Sequence, residues 1–178
     1  MKQEAMDNGL AGDAAFVSLI ETYEARVLRY VTRLVPDVED ARDLTHEVFL
    51  RAYRRKVTLR SHGSVASWLF AIASNIVRDY HRRRRRVLSF VPFSAWREAG
   101  EAAADGAPAD DGADTVARVM ARMPGEMVQC LVLHEVEGFT SIEIAAVLGI
   151  RPEAVRQRIV RARKRFRELY VEMGGGPT

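Results

Sequence analysis

Apolar residues return at steps of three and four along most of the chain, the spacing of one face of an α-helix. The first such stretch runs from about Ala14 to Val35, where Phe16, Leu19, Ile20, Tyr23, Val27, Tyr30, Val31 and Leu34 share a face. Asp13 is placed to cap it and Pro36 to end it. A second helix is predicted from Asp37, itself a capping residue. Ala41, Leu44, Val48 and Ala52 form its apolar stripe, and Asp40, Asp43 and Glu47 form an acidic stripe beside it. Thr58, Ser61, His62 and Gly63 mark Lys56 to Gly63 as a loop. Ser64 can cap a third helix with Val65, Trp68, Leu69, Ile72, Ile76 and Tyr80 on one face, running without a break into Arg82–Arg86.

From about Ser94 to Asp114 the pattern stops. Ala, Gly, Asp and Glu dominate, with Pro108 inside, the composition of a flexible tether. Val87 to Phe93 is apolar and ambiguous, and can pack back on the first block. Periodicity resumes at Thr115. Val116, Val119, Met120 and Met123 predict a short helix ended by Pro124 and Gly125; Met127, Cys130, Leu131, Leu133 and Val136 predict another ended by Gly138. Two more follow, Ser141 to Leu148 and about Pro152 to Val171, separated by Gly149. No segment alternates with the period of a strand. The expected fold class is therefore all-α: two small helical domains, 1–93 and 115–178, joined by a flexible acidic linker at 94–114.

The last two helices have the marks of a helix-turn-helix. Ser141 is expected to cap the first, with Glu143 in its first turn where the helix dipole favours an acid. Ile142, Ala145 and Leu148 are expected to face inward, with Ile144 supporting. Gly149 allows a tight turn, Ile150 fills the corner and Pro152 suits a first helical turn. Val155, Ile159, Ala162 and Phe166 then face the core. That leaves Glu153, Arg156, Gln157, Val160, Arg161 and Lys164 outward, with Arg158, Arg163, Arg165 and Arg167 on the flanks. Arg and Gln are the side chains that bond bidentately to guanine and adenine edges, and flanking arginines suit phosphates. The competing reading is a basic, solvated helix in an ordinary bundle.

Charge and composition add location rather than identity. The net charge is only +3, but the C-terminal helix and the run Arg82–Arg86 are basic while Glu98 to Asp114 carries acids and no bases. Arg82–Arg86 fits phosphate contact or simple solvation of a helix end. The N-terminus lacks the basic start and apolar run of a signal peptide, and no window approaches the roughly 20 apolar residues of a membrane span. With a single cysteine, Cys130, cytoplasmic residence without membrane insertion is expected. The histidines His46, His62, His81 and His134 are scattered. Cys130 and His134 can share a helix face, but two ligands do not close a zinc site. No phosphate loop or nucleophile elbow occurs. No catalytic residue, metal site, cofactor or enzymatic activity is expected.

The stretch from Asp37 to Tyr53 resembles the core-binding helix of bacterial sigma factors. Ser67 to Tyr80 resembles their promoter-melting and −10 recognition helix, and the final block their −35 reading domain. Their order, the acidic linker and the short length resemble the extracytoplasmic-function group of the sigma-70 family, over about Ala14 to Tyr170. The resemblance implies that Asp40, Asp43, Glu47 and Arg51 dock on the β′ clamp of RNA polymerase, with a further contact to the β flap. It implies that Asn75, Arg78, Asp79, Arg82 and Arg83 border the strand-separated −10 region. Glu153, Arg156, Gln157, Arg158, Val160, Arg161 and Lys164 would contact the −35 duplex. Lys56–Gly63 matches the family's base-capturing loop but has no aromatic residue. The implied partners are core polymerase, promoter DNA and an anti-sigma factor, often membrane-tethered. Two other readings stand beside this one: a stand-alone duplex-DNA regulator, which leaves the acidic stripe and the Trp68–Arg86 helix without a purpose, and a nucleic-acid enzyme, which lacks a catalytic constellation.

Overall fold

The structure, a computed structural model, describes residues 2–55, 64–88 and 111–174, and every described element is a helix. The elements are α1 (Lys2–Thr32), α2 (Val38–Arg54), α3 (Val65–Leu88), α4 (Asp111–Ala121), α5 (Gly125–Glu135), α6 (Ser141–Leu148) and α7 (Pro152–Glu172). The loop expected at Lys56–Gly63 and nearly all of the expected linker lie outside the described residues. α4 begins at Asp111, four positions before the expected Thr115, so the last acids of the expected linker are helical. α1 likewise starts at Lys2 rather than near Ala14. Gly9 and Gly12 cost a helix about 1 kcal/mol each without ending it.

Local chemistry sets the helix starts. Asp37 accepts from the backbone N–H groups of Glu39 and Asp40 at 2.8 and 3.0 Å, and Ser64 Oγ accepts from Ser67 N–H at 3.0 Å. At α6 the expectation needs correcting: Thr140, not Ser141, is the cap. Its hydroxyl accepts from Glu143 N–H while the Glu143 carboxylate accepts from Thr140 N–H at 2.8 Å, a reciprocal capping box. Ile142, expected inside, is 70% exposed, and Ile144 is fully buried with Ala145, Val147 and Leu148.

α1, α2 and α3 pack around Val27, Val31, Val48, Ala52, Leu69 and Ile76. α4 to α7 pack around Val119, Val132, Leu133, Ile144, Val155 and Ala162. α3 departs from its expected single stripe. Phe70, Ala73, Ser74 and Val77, on its other side, are also buried, because α1 covers them and α6 lies along the same helix. Tyr30 and Ser74 hydroxyls meet there at 2.7 Å. Burial pushes the Tyr30 phenol well above its ordinary value, against the smaller opposing effect of the Ser74 hydrogen bond, so it stays neutral.

Candidate nucleic-acid and polymerase interfaces

The helix-turn-helix is built as its sequence requires. Gly149 closes α6 with φ 67°, the left-handed turn that glycine adopts without penalty. Pro152 opens α7. Val155, Ile159, Ala162 and Leu169 face inward, with Phe166 partly covered and stacked on Tyr170. The opposite face carries Glu153, Arg156, Gln157, Val160, Arg161 and Lys164, all exposed. Val160 is 65% exposed at the centre of this polar face. Arg156 is held by Glu153 at 2.7 Å. Among the described residues Arg161 Nε reaches only the Gln157 backbone carbonyl. The heads of Gln157 and Lys164 have no partner among the described residues.

The flanks behave differently. Arg158 turns back onto Glu126 of α5 at 2.9 Å and is the least exposed of the paired arginines of α7. Its guanidinium also lies against the Cys130 thiol, whose pKa burial raises while Arg158 works the other way. Arg163 bonds Glu135 at 2.8 Å, and Arg165 pairs with Glu168 at 3.5 Å. Arg158 thus ties α7 to α5 and sits apart from the outward set with which the sequence groups it. Cys130 is fully buried, and His134 Nδ1 bonds the Phe139 carbonyl at 3.0 Å, which accounts for both members of that pair.

In the N-terminal module two expected sets meet across one groove between α2 and α3. Asp40, Glu47 and Arg51 line it from α2, and Asp79 and Arg83 line it from α3, over a floor that includes Leu44 and Ile76. Tyr80 donates to Asp40 at 2.8 Å, and Arg84 reaches both. Partial burial, then the hydrogen bond to Asp40, holds the Tyr80 phenol above its ordinary value, so it remains a donor. Glu47 pairs with Arg51. Asp43 does not join them. It lies on the outer side of α2, beside Leu50, which is 57% exposed, and has no partner among the described residues.

The expected −10 set also divides. Asn75, Arg78 and Arg82, at steps of three and four, form an exposed strip on α3. Arg78 donates to Asn75 at 3.1 Å, and Arg82 pairs with Asp79 at 3.1 Å. Asp79 and Arg83 turn toward α2. Among the described residues no group of three or more His, Cys, Asp or Glu is arranged to hold a metal, and no helix is long and apolar enough to cross a membrane.

Two family models match the chain: Sigma-70 region 2 over residues 19–87, and Sigma-70, region 4 over residues 113–166. The chain is 31% identical to RNA polymerase sigma factor CarQ of Myxococcus xanthus, covering 89% of this chain and 91% of that one. It is 30% identical to RNA polymerase sigma-H factor of Pseudomonas aeruginosa, over 91% and 90%. Identity to ECF RNA polymerase sigma factor SigE of Mycolicibacterium smegmatis is 33% over 86% of this chain, which spans 61% of that relative's length. Among solved structures, sigma factor RpoE in complex with the anti-sigma factor NepR, from Bartonella quintana, shares the fold with a TM-score of 0.73 at 19% identity, over 87% and 96% of the two chains. CnrH in complex with the cytosolic domain of CnrY does so at 0.62 and 23%, over 90% of each. With region 2 followed by region 4 on one all-helical chain, the protein belongs to the extracytoplasmic-function sigma factors of the sigma-70 family.

Proposed function

We propose that the chain is a dissociable promoter-specificity subunit that directs core RNA polymerase to its promoters and carries no catalytic residue of its own. The observation that carries this reading is the uncovered face of α7, with Gln157, Arg161 and Lys164 around an exposed Val160, downstream of a region 2 match on the same chain. Arg and Gln would bond base edges of the −35 duplex, and Val160 offers an apolar contact suited to a thymine methyl. Glu153 and Arg156 would stand at the start of that face as a pair. Arg158 would support the fold.

Asp43 and Leu50, with Asp40, Glu47 and Arg51 at the groove, would dock on the β′ clamp, and the C-terminal module on the β flap. Asn75, Arg78 and Arg82 would follow the opened −10 strand, with Asp79 and Arg83 beside them, since single-stranded DNA favours a basic track. An anti-sigma factor, membrane-tethered or free, would regulate the chain by covering these faces in the cytoplasm. Sigma-free core polymerase mixed with the chain and a promoter library tests this. Transcripts from a defined subset of promoters are expected; tight duplex binding with no transcript from any promoter would sink it.

A further inference from the structure

An acid stands at the start of the face that α7 presents to solvent. Of Glu153, Arg156, Gln157, Val160, Arg161 and Lys164, only Glu153 carries a negative charge. Beside DNA such a charge is unfavourable, because phosphates repel it and affinity comes from cations that displace counterions. Its place in the first turn suits the helix dipole, which accounts for an acid there but not for its partner. The partner is Arg156, about one turn on, whose Nη2 donates to Glu153 Oε1 at 2.7 Å. The side chains of Glu153 and Arg156 are 66% and 56% exposed, so the pair adds little to the stability of the fold. Arg161, on the same face, is held differently. Its Nε donates to the Gln157 backbone carbonyl at 3.3 Å, a longer bond to a neutral acceptor. Arg156 is tied to a charge and Arg161 is not.

An arginine beside duplex DNA can bond a guanine edge or swing to a phosphate, and the phosphate is there on every sequence. Glu153 sets these two against each other. With the pair intact, one N–H of Nη2 is taken and the rest of the guanidinium fork is free for guanine O6 and N7. A swing to a phosphate breaks the pair and leaves a bare carboxylate among phosphate charges. The pair also removes part of the rotamer freedom that a long side chain gives up on binding. Guanine therefore meets an arginine already in place, and any other base meets one that is hard to divert. Arg161 lacks this restraint, since leaving a backbone carbonyl exposes no charge.

We propose that Glu153 is a positioning residue for promoter choice. It holds Arg156 for a base edge and denies it the phosphate backbone, which lowers affinity on mismatched sequences and raises discrimination at one base pair. The inference rests on the −35 reading of α7.

Competition binding of the assembled polymerase to promoters substituted base by base across the −35 element tests this. Arg156→Ala and Arg161→Ala first identify the base pair that each arginine reads. Glu153→Ala should then reduce preference at the Arg156 base pair from about tenfold or more to within about threefold. On promoters mismatched there it should raise affinity several-fold and steepen the log–log salt dependence by about 0.9, as Arg156 takes a phosphate. Preference at the Arg161 base pair should be unchanged, which a general loosening of α7 would not allow. Glu153→Gln, which keeps an acceptor without the charge, should fall between wild type and Glu153→Ala. In an Arg156→Ala background, Glu153→Ala should alter no base preference. Unaltered preference in Glu153→Ala, or an equal loss at both base pairs, overturns the inference while leaving the −35 reading in place. So does a change of preference that persists without Arg156, which would make Glu153 a base reader itself. A wild type with no preference at any −35 position overturns the −35 reading and this inference with it.

Discussion

The two modules hold their charges in opposite ways. In the N-terminal module Asp40, Glu47 and Asp79 are each engaged within the chain, by Tyr80 and Arg84, by Arg51 and by Arg82 respectively. In the C-terminal module the pairs lie on the flanks of α7 and, as Glu153–Arg156, at the start of its outward face, while Gln157, Val160 and Lys164 face solvent unengaged among the described residues. A partner of the first module must exchange existing bonds for new ones, so each charge contributes a small net amount. A partner of the second meets a face already free and fixed on a rigid helix, where each contact contributes more.

The largest expected effect follows from the free face. Arg161→Ala should weaken −35 recognition by the assembled polymerase by about 1–3 kcal/mol, selectively for one base position, read by competition among promoters substituted base by base. An equal loss on every sequence would mark Arg161 as a phosphate contact. Next comes a contrast within α2. Asp43→Asn should weaken polymerase binding by about 1–2 kcal/mol, and Glu47→Gln by under about 1 kcal/mol, because Glu47 already has a partner. A titration of labelled chain with core polymerase measures both, and the reverse order would break the comparison.

Arg158→Ala should leave promoter affinity within about twofold and lower stability by about 1 kcal/mol, seen as a reduced Tm, since the residue ties α7 to Glu126. A selective loss of −35 affinity would return Arg158 to the DNA-facing set. The smallest effect belongs to the α6 cap. Hydrogen bonds from Thr140, backbone first, hold the Glu143 carboxyl below its ordinary value. Its stabilisation is therefore fully present above the ordinary glutamate pKa of about 4.3 and is lost as pH falls through the lowered one. The Tm gap between wild type and Glu143→Gln should be steady near neutrality and close in acid. A gap that widens in acid would contradict the capping role.

Much of this was legible in the chain because it is written locally. Pro152, Gly149 and the four-residue stripe from Val155 fix the helix-turn-helix, and Asp37 marks the start of α2 through its own side chain. The Thr140 cap was missed because Thr140 and Ser141 are adjacent capping residues, and only the Glu143 pairing selects between them. The fates of the arginines were not legible. Arg158 and Arg163 find their acids on α5, far along the chain from α7, and residue type cannot separate a guanidinium that meets Glu126 from one left for DNA. Phe70 was missed for a related reason. A single-stripe reading leaves it outside, and it is buried because α1 and the Phe139 segment cover the second side of α3.

The central claim is that two DNA-reading faces act together only when polymerase sets the distance between them. Transcription from one promoter, with base pairs inserted or removed between its −10 and −35 elements, measures this directly. Each base pair shifts the elements by about 3.4 Å and turns one against the other by about a tenth of a helical turn. The account predicts transcripts that peak at one spacing and fall within a few base pairs on either side, with Arg161→Ala lowering the peak without moving it. Output indifferent to spacing would contradict it.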